Sequence, residues 1–234
     1  MQYELLNIGD KLGLNPNKTI TYLATLWLFT ASLQPLPYIT GGLLFLTLCL
    51  LEIFSNNKKK LAGIISTPFF SLFVPLGMLS IIKLREMGSD ETGISLTIVI
   101  FLLIWGNDVF AYFGGKHFGR HALSEELSPN KTIEGFLFGF LGSAAGLYIG
   151  YILLPYPFPL TLLTAFPLVL LGGILGPCGD LLESKMKRLA GIKDSSTIIP
   201  GHGGFYDRFD ALILTAPTLY IYLSVISHYN VVTF

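Results

Sequence analysis

Residues 94–113 read ISLTIVIFLLIWGNDVFAYF, twenty residues in which Asp108 is the one charge. A helix of about 20 mainly apolar residues, rising about 1.5 Å each, crosses the hydrocarbon core of a bilayer. Lipid offers the backbone no hydrogen-bonding partner, so such a segment must satisfy its own N–H and C=O groups by coiling into a helix. Outward from this stretch, six others meet the same criterion: 19–33, 36–54 and 61–82 before it, then 135–154, 160–177 and 211–229 after it. The chain therefore reads as an all-α, polytopic integral membrane protein of about seven transmembrane helices. The Pro35-Leu36-Pro37 break could instead make 19–54 a tight helical hairpin.

Composition agrees. Of 234 residues, 52% are hydrophobic and only 13% charged, and the mean hydropathy is +0.63, well above that of ordinary soluble domains. Fifteen Lys and Arg balance fifteen Asp and Glu, which gives no electrostatic case for a nucleic-acid partner. The charges are concentrated: six of the thirty fall in 114–134 and ten in 178–210, so these two short stretches hold more than half of them. Cys49 and Cys178 lie in or beside apolar runs and read as small hydrophobes rather than as a disulfide or a metal pair. About eighteen mixed residues precede the first apolar run, unlike the basic start and immediate apolar core of a secretory signal, so that run is expected to be a retained span.

Positively charged loops stay on the cytoplasmic side. Lys58, Lys59 and Lys60 follow the second stretch; Lys116, Arg120 and Lys131 lie in 114–134; Lys185, Lys187, Arg188, Lys193 and Arg208 lie in 178–210. Loop 155–159 is the uncharged Pro-Tyr-Pro-Phe-Pro, and loop 83–93 is mixed. Seven crossings with the N-terminus inside put all three basic loops on the cytoplasmic face and the C-terminus outside. Three blocks follow: scaffold helices over 1–93, where no chemical motif appears; middle helices with a cytoplasmic loop over 94–159; and C-terminal helices carrying the densest polar stretch over 160–234.

That polar stretch begins Gly179-Asp180-Leu181-Leu182-Glu183-Ser184-Lys185-Met186-Lys187-Arg188. At 3.6 residues per turn, Asp180, Glu183 or Ser184, Lys187 and Arg188 share one helical stripe, while Leu181, Leu182 and Met186 lie largely away from it. A solvated amphipathic helix end would look the same. Next come Lys193-Asp194-Ser195-Ser196-Thr197, then Pro200-Gly201-His202-Gly203-Gly204 and Asp207-Arg208-Phe209-Asp210. Glycines around a histidine suit a backbone wrapping phosphate oxygens, but loops need glycine anyway. Asp207 and Asp210, near a helix start, could equally serve as capping and dipole partners. Asp108 stands late in an apolar span, where an ionised carboxylate is costly unless paired or facing a polar cavity.

Read whole, residues 184–210 resemble the signature of the phosphatidate cytidylyltransferase (CDP-diacylglycerol synthase) family. A second block agrees: Trp105-Gly106-Asn107-Asp108-Val109-Phe110-Ala111-Tyr112-Phe113-Gly114-Gly115, followed by Ser128-Pro129-Asn130-Lys131-Thr132-Ile133-Glu134-Gly135. The match covers 105–135 and 176–211. The resemblance implies transfer of CMP from CTP to phosphatidate, with Mg²⁺ at what would be a two-metal centre and with the site at the cytoplasmic side of a cell inner (plasma) membrane. It points to Asp180 and Asp207 as metal ligands, to Lys187, Arg188 and His202 as further catalytic residues, and to Ser184, Lys131, Lys193, Asp194, Gly203, Gly204 and Arg208 as substrate-binding. Asp194 and Asp210 would orient the cations, and His202 would either contact pyrophosphate or fix the loop. CTP, phosphatidate and membrane lipid are the implied partners, with a homodimer as a further expectation. A CTP-dependent polyprenol or lipid-alcohol kinase and a membrane transporter are the alternatives; the signature argues against the first, and the loop location of most charges against the second.

Overall fold

The structure is a computed structural model and describes residues 1–31, 40–43, 46–47, 60–154, 158–201, 203–229 and 231–232. Among them the regular elements are helices α1 (Gln2–Lys11), α2 (Lys18–Thr30), α3 (Lys60–Arg85) and α4 (Asp90–Phe118), strands β1 (Ala122–Ser124) and β2 (Ser128–Thr132), and helices α5 (Ile133–Leu153), α6 (Leu162–Leu189) and α7 (Tyr206–His228). The chain divides into two compact units, residues 1–76 with 186–208, and residues 77–185 with 209–234.

Five helical segments among the described residues are long and apolar enough to cross a membrane: Ile65–Arg85, Asp90–Phe118, Ile133–Leu153, Leu162–Leu189 and Tyr206–His228. They correspond to the last five expected stretches, so among the described residues the count is five rather than seven. The first stretch yields α2, which has 13 residues and rises only about 20 Å, against roughly 30 Å of hydrocarbon. The second stretch, 36–54, lies mostly outside the described residues, as do Cys49, Lys58, Lys59, the Pro-Tyr-Pro of 155–157 and His202.

In the first unit, α1 is an element the sequence reading left unassigned. It buries Glu4, Leu5, Leu6, Ile8 and Gly9, the spacing of a one-sided helix. Asn17 caps α2 by accepting from the Ile20 N–H at 3.2 Å. The Asn17 N–H in turn donates to Thr67 Oγ1 of α3 at 2.9 Å, and Ser71 of α3 donates to Thr21 Oγ1 of α2 at 3.3 Å. Phe70 and Val74 of α3 and Tyr206 at the start of α7 complete this interior.

In the second unit, a core of Leu96, Val99, Ile100, Leu103, Leu147, Leu168, Leu212, Leu219 and Leu223 is buried among the helices. Trp105, Tyr112, Leu137, Leu141, Tyr148 and Leu163 point outward, as expected where the solvent is lipid rather than water. Between spans there is little hydrophobic drive, so helices associate through close packing at small residues. Helices α4 and α5 meet in this way: a Cβ on Gly142 would run into the Gly106 carbonyl, and one on Gly106 into the Gly142 carbonyl.

Candidate active site

Each unit carries one polar cluster. In the second unit, α6 runs on past the apolar stretch to Leu189, so the charged stripe is helical as the spacing required. Asp180 accepts from Ser184 Oγ one turn on, at 3.4 Å. It also accepts from the Lys131 ammonium. Asp180, Glu183 and Asp210 each offer a carboxylate oxygen, all within 4.8 Å of one another. Glu183 is almost fully buried, and Asp210 Oδ1 accepts the Ala211 N–H at 2.8 Å. Asp108, late in α4, lies within electrostatic reach of Asp180 and Lys131.

Lys131 is placed by a device that the sequence reading did not foresee. Residues 122–132 form a short antiparallel hairpin with Ala122 opposite Thr132 and Ser124 opposite Ser128. Thr132 caps α5 by accepting from the Gly135 N–H at 3.0 Å. Glu134 Oε2 accepts the Arg120 N–H at 3.0 Å and the His121 N–H at 3.3 Å, and its Oε1 lies 2.6 Å from His121 Nδ1. The hairpin is therefore pinned to the N-terminus of α5, and Lys131 extends from its second strand. Ser-Pro at 128–129 and Thr132 before an apolar run were the available signals.

In the first unit, Asp207 organises the signature turn. Its Oδ1 accepts from the Lys187 ammonium at 2.6 Å, and its Oδ2 accepts from the Ser195 N–H at 2.9 Å, the Ser195 hydroxyl at 2.7 Å and the Gly204 N–H at 2.7 Å. The Lys187 and Asp207 side chains are only 11% and 7% exposed, so this ion pair is shielded from water. Gly203 has φ +78, a left-handed angle that favours glycine, and its carbonyl accepts the Ile199 N–H at 2.9 Å. Gly204 has no room for a side chain, because a Cβ there would run into Glu4 Oε1, Ser195 Oγ and Ser196 Oγ.

Of the residues singled out from sequence, the structure brings together Asp180, Ser184 and Lys131 in one cluster, and Lys187, Gly204 and Asp207 in the other. Arg188 is exposed, with Nη1 donating to the Ile192 carbonyl at 3.4 Å. Lys193, Asp194 and Arg208 are exposed as well. Sequence reasoning ranked Glu183 and Asp210 behind Asp180 and Asp207 as ligands and missed Glu4, whose carboxylate is wholly buried against the signature turn.

A Mg²⁺ ion takes hard oxygen donors, usually one or two carboxylates completed by substrate phosphates and water. Asp180, Glu183 and Asp210 supply that donor type at that spacing, so the residues present fit such an ion.

The profile of the cytidylyltransferase family matches residues 2–226. The chain is 32% identical over 233 residues to a phosphatidate cytidylyltransferase of Bacillus subtilis, covering 96% of this chain and 85% of that one. It is 36% identical over 186 residues to one of Aquifex aeolicus (79% and 67%). It is 46% identical over 132 residues to one of Synechocystis, covering 56% of this chain and under half, 44%, of that protein.

Proposed function

Because the chain belongs to the cytidylyltransferase family, we propose that it is a multi-pass membrane enzyme that transfers CMP from CTP to phosphatidate, giving CDP-diacylglycerol and pyrophosphate for phospholipid synthesis. The observation that carries this reading is that the similarity runs through the polar segments as well as the spans. The signature of 184–210 lies inside the matched region, and its Asp207 and Lys187 form a shielded ion pair.

In this reaction a phosphate oxygen of the lipid attacks the α-phosphorus of CTP. The bond from that phosphorus to the bridging oxygen breaks, and pyrophosphate leaves with the electron pair. A phosphomonoester has its second pKa near about 6, so at neutral pH the attacking oxygen is already largely anionic and no general base is required. The obstacle is repulsion between two anions, which positioned positive charge relieves. Bound Mg²⁺ would supply part of that charge and orient the phosphates.

The roles then fall to this chain's own residues. Asp180, joined by Glu183 and Asp210, offers the hard oxygens for Mg²⁺, and Asp207 is retained as a second ligand in the two-metal version of the proposal. Lys131 and Lys187 balance Asp180 and Asp207 and are placed to meet phosphate oxygens that approach those carboxylates. Arg188, Lys193 and Arg208 are exposed guanidinium and ammonium groups on the signature, suited to polyphosphate as forks and point charges. Ser184, Asp194, Gly203 and Gly204 orient these groups or close the turn. The excess of Lys and Arg in 114–134 and 178–210 supports a reaction at the cytoplasmic boundary of the bacterial inner membrane, where a lipid and a soluble nucleotide can both reach it.

The test is an assay of the purified protein with CTP, phosphatidate and Mg²⁺, following released pyrophosphate and a CDP-lipid product. Release of CDP with phosphorylation of a lipid alcohol would overturn the reading in favour of a kinase.

A further inference from the structure

Helix α7 begins at Tyr206, after an approach that reads Pro200-Gly201-His202-Gly203-Gly204-Phe205. The first N–H groups of a helix have no intrahelical partner and need an acceptor from elsewhere. That acceptor comes from the other end of the sequence. Glu4 of α1 accepts the Phe205 N–H at 3.0 Å, the Tyr206 N–H at 2.8 Å and the Ser196 hydroxyl at 2.6 Å. It is fully buried, a location that an ionised carboxylate tolerates only when multiply hydrogen-bonded. A negative charge at a helix N-terminus also meets the positive end of the helix dipole.

We infer that Glu4 is a positioning residue: together with Asp207 it fixes the 195–207 turn, and through that turn it sets turnover. The two carboxylates divide the work. Asp207 gathers Ser195, Gly204 and Lys187, whereas Glu4 gathers Ser196, Phe205 and Tyr206. Each holds one of the paired serines, and between them they take the three successive N–H groups of Gly204, Phe205 and Tyr206. With Glu4 in place, the two N–H groups immediately before Asp207 share one acceptor carboxylate, and Gly204 sits against Glu4 Oε1 too closely for any side chain. Without the carboxylate, the Phe205 and Tyr206 N–H groups and the Ser196 hydroxyl lose a common acceptor. The turnover part of this inference rests on the proposed cytidylyltransferase reaction; the part concerning the turn does not.

The experiment uses the full chain in detergent, comparing the parent with Glu4→Gln, Glu4→Asp and Ile8→Ala. Ile8 is buried on the same helix, so its truncation loosens α1 without touching a polar role. Amide hydrogen exchange is read over residues 195–207, alongside melting temperature and kcat and KM for CTP. Glutamine keeps the shape but turns an NH2 group toward donors, and a buried donor left unpaired costs enough for about a 10- to 100-fold change. Glu4→Gln is expected to speed exchange at Phe205 and Tyr206 by about that factor and to lower kcat in proportion, while exchange in α4 and α5 is unchanged. Ile8→Ala is expected to lose far less turnover at the same fall in melting temperature. Should Glu4→Gln fail to accumulate, Glu4→Asp decides, because its shorter reach cannot serve Ser196 and both N–H groups at once. Parent-like exchange in these variants, faster exchange with parent-like turnover, or a turnover loss no greater than that of Ile8→Ala would overturn the inference. A parent that makes no CDP-lipid would instead overturn the proposed function, and the exchange comparison would still decide whether Glu4 holds the turn.

Discussion

Replacing Asp207 by Asn removes one charge and one acceptor oxygen from the most heavily bonded carboxylate of the signature. An asparagine has one carbonyl oxygen for the donors now shared between two. Facing that oxygen toward Ser195 and Gly204 preserves the three bonds of Oδ2, at 2.9, 2.7 and 2.7 Å. Its NH2 group then meets the Lys187 ammonium, whose contact with Oδ1 is 2.6 Å, donor against donor. The opposite orientation loses three bonds instead of one, so the first is the cheaper. Breaking a buried ion pair from one side costs about 3–5 kcal/mol. The lower end applies here, because Lys187 makes further interactions and the three contacts of Oδ2 survive. A loss of about 3 kcal/mol lowers the equilibrium constant for ordering the turn by roughly 100-fold, and for a turn near balance between ordered and disordered states turnover should fall by a similar factor. The assay is pyrophosphate release with saturating CTP, phosphatidate and Mg²⁺, with melting in detergent measured in parallel. Glu86→Gln serves as control, since it disturbs only the solvent-exposed pair with Lys83, a class worth about 0–1 kcal/mol. Asp207→Asn turnover within about threefold of the parent, in a range that the 3 kcal/mol figure excludes, would refute the reasoning.

Three other outcomes are expected. Single cysteines placed in 119–132 and in 190–205, after replacement of Cys49 and Cys178, should label from the same side of the membrane; opposite accessibility would break the shared cytoplasmic assignment. Asp180→Asn, Glu183→Gln and Asp210→Asn should each raise the Mg²⁺ concentration needed for half-maximal turnover and lower the maximum by about 10²–10³, as for loss of one well-placed electrostatic stabiliser; a Mg²⁺ dependence identical to the parent in all three would move the ion elsewhere. Burial raises the Glu4 pKa, but the Ser196 hydroxyl, the Tyr206 N–H and the Met1 ammonium 3.2 Å away together more than offset it, so the folded value lies below the ordinary 4.5. The stability that Glu4 contributes is then fully present above about pH 4.5 and is lost as pH falls through the folded value, so the melting difference between parent and Glu4→Gln should be flat from pH 7 to 5 and shrink only in stronger acid; a difference that collapses between pH 7 and 5 would contradict the sign.

What was legible in the sequence is what local periodicity encodes. The apolar runs gave the five spans, and the 3.6-residue stripe placed Asp180 one turn from Ser184, a contact four residues long that survives in the structure at 3.4 Å. What stayed hidden depends on contacts across many residues. Lys131 meets Asp180 across 49 residues, and Glu4 meets Tyr206 across 202, and no window of sequence contains both partners. The hairpin 122–132 was hidden for another reason: its strands are three and five residues long, too short for alternation to show. Residues 1–93 looked like scaffold because their one chemically telling group, Glu4, sits among Leu5, Leu6 and Ile8 as if it were an ordinary polar position of an amphipathic helix. A carboxylate beside three apolar residues in a helix of ten is usually solvated; its burial follows from the needs of α7.

The pairing of charges carries a consequence for function that a list of motif residues does not. The family resemblance assigns Lys131 to substrate binding and Lys187 to catalysis, yet without substrate each is already matched to a carboxylate. Such pairing gives two buried or half-buried ammonium groups a partner where an unmatched one would be costly. It also means that an arriving phosphate competes with Asp180 and Asp207 for those ammonium groups, whereas exposed Arg188 and Lys193 can meet it first. Substrate affinity should therefore come mainly from the exposed cations, and the lysine–carboxylate pairs should matter most where charge changes during the reaction. Arg188→Ala or Lys193→Ala should accordingly act on KM for CTP, and Lys187→Met on kcat.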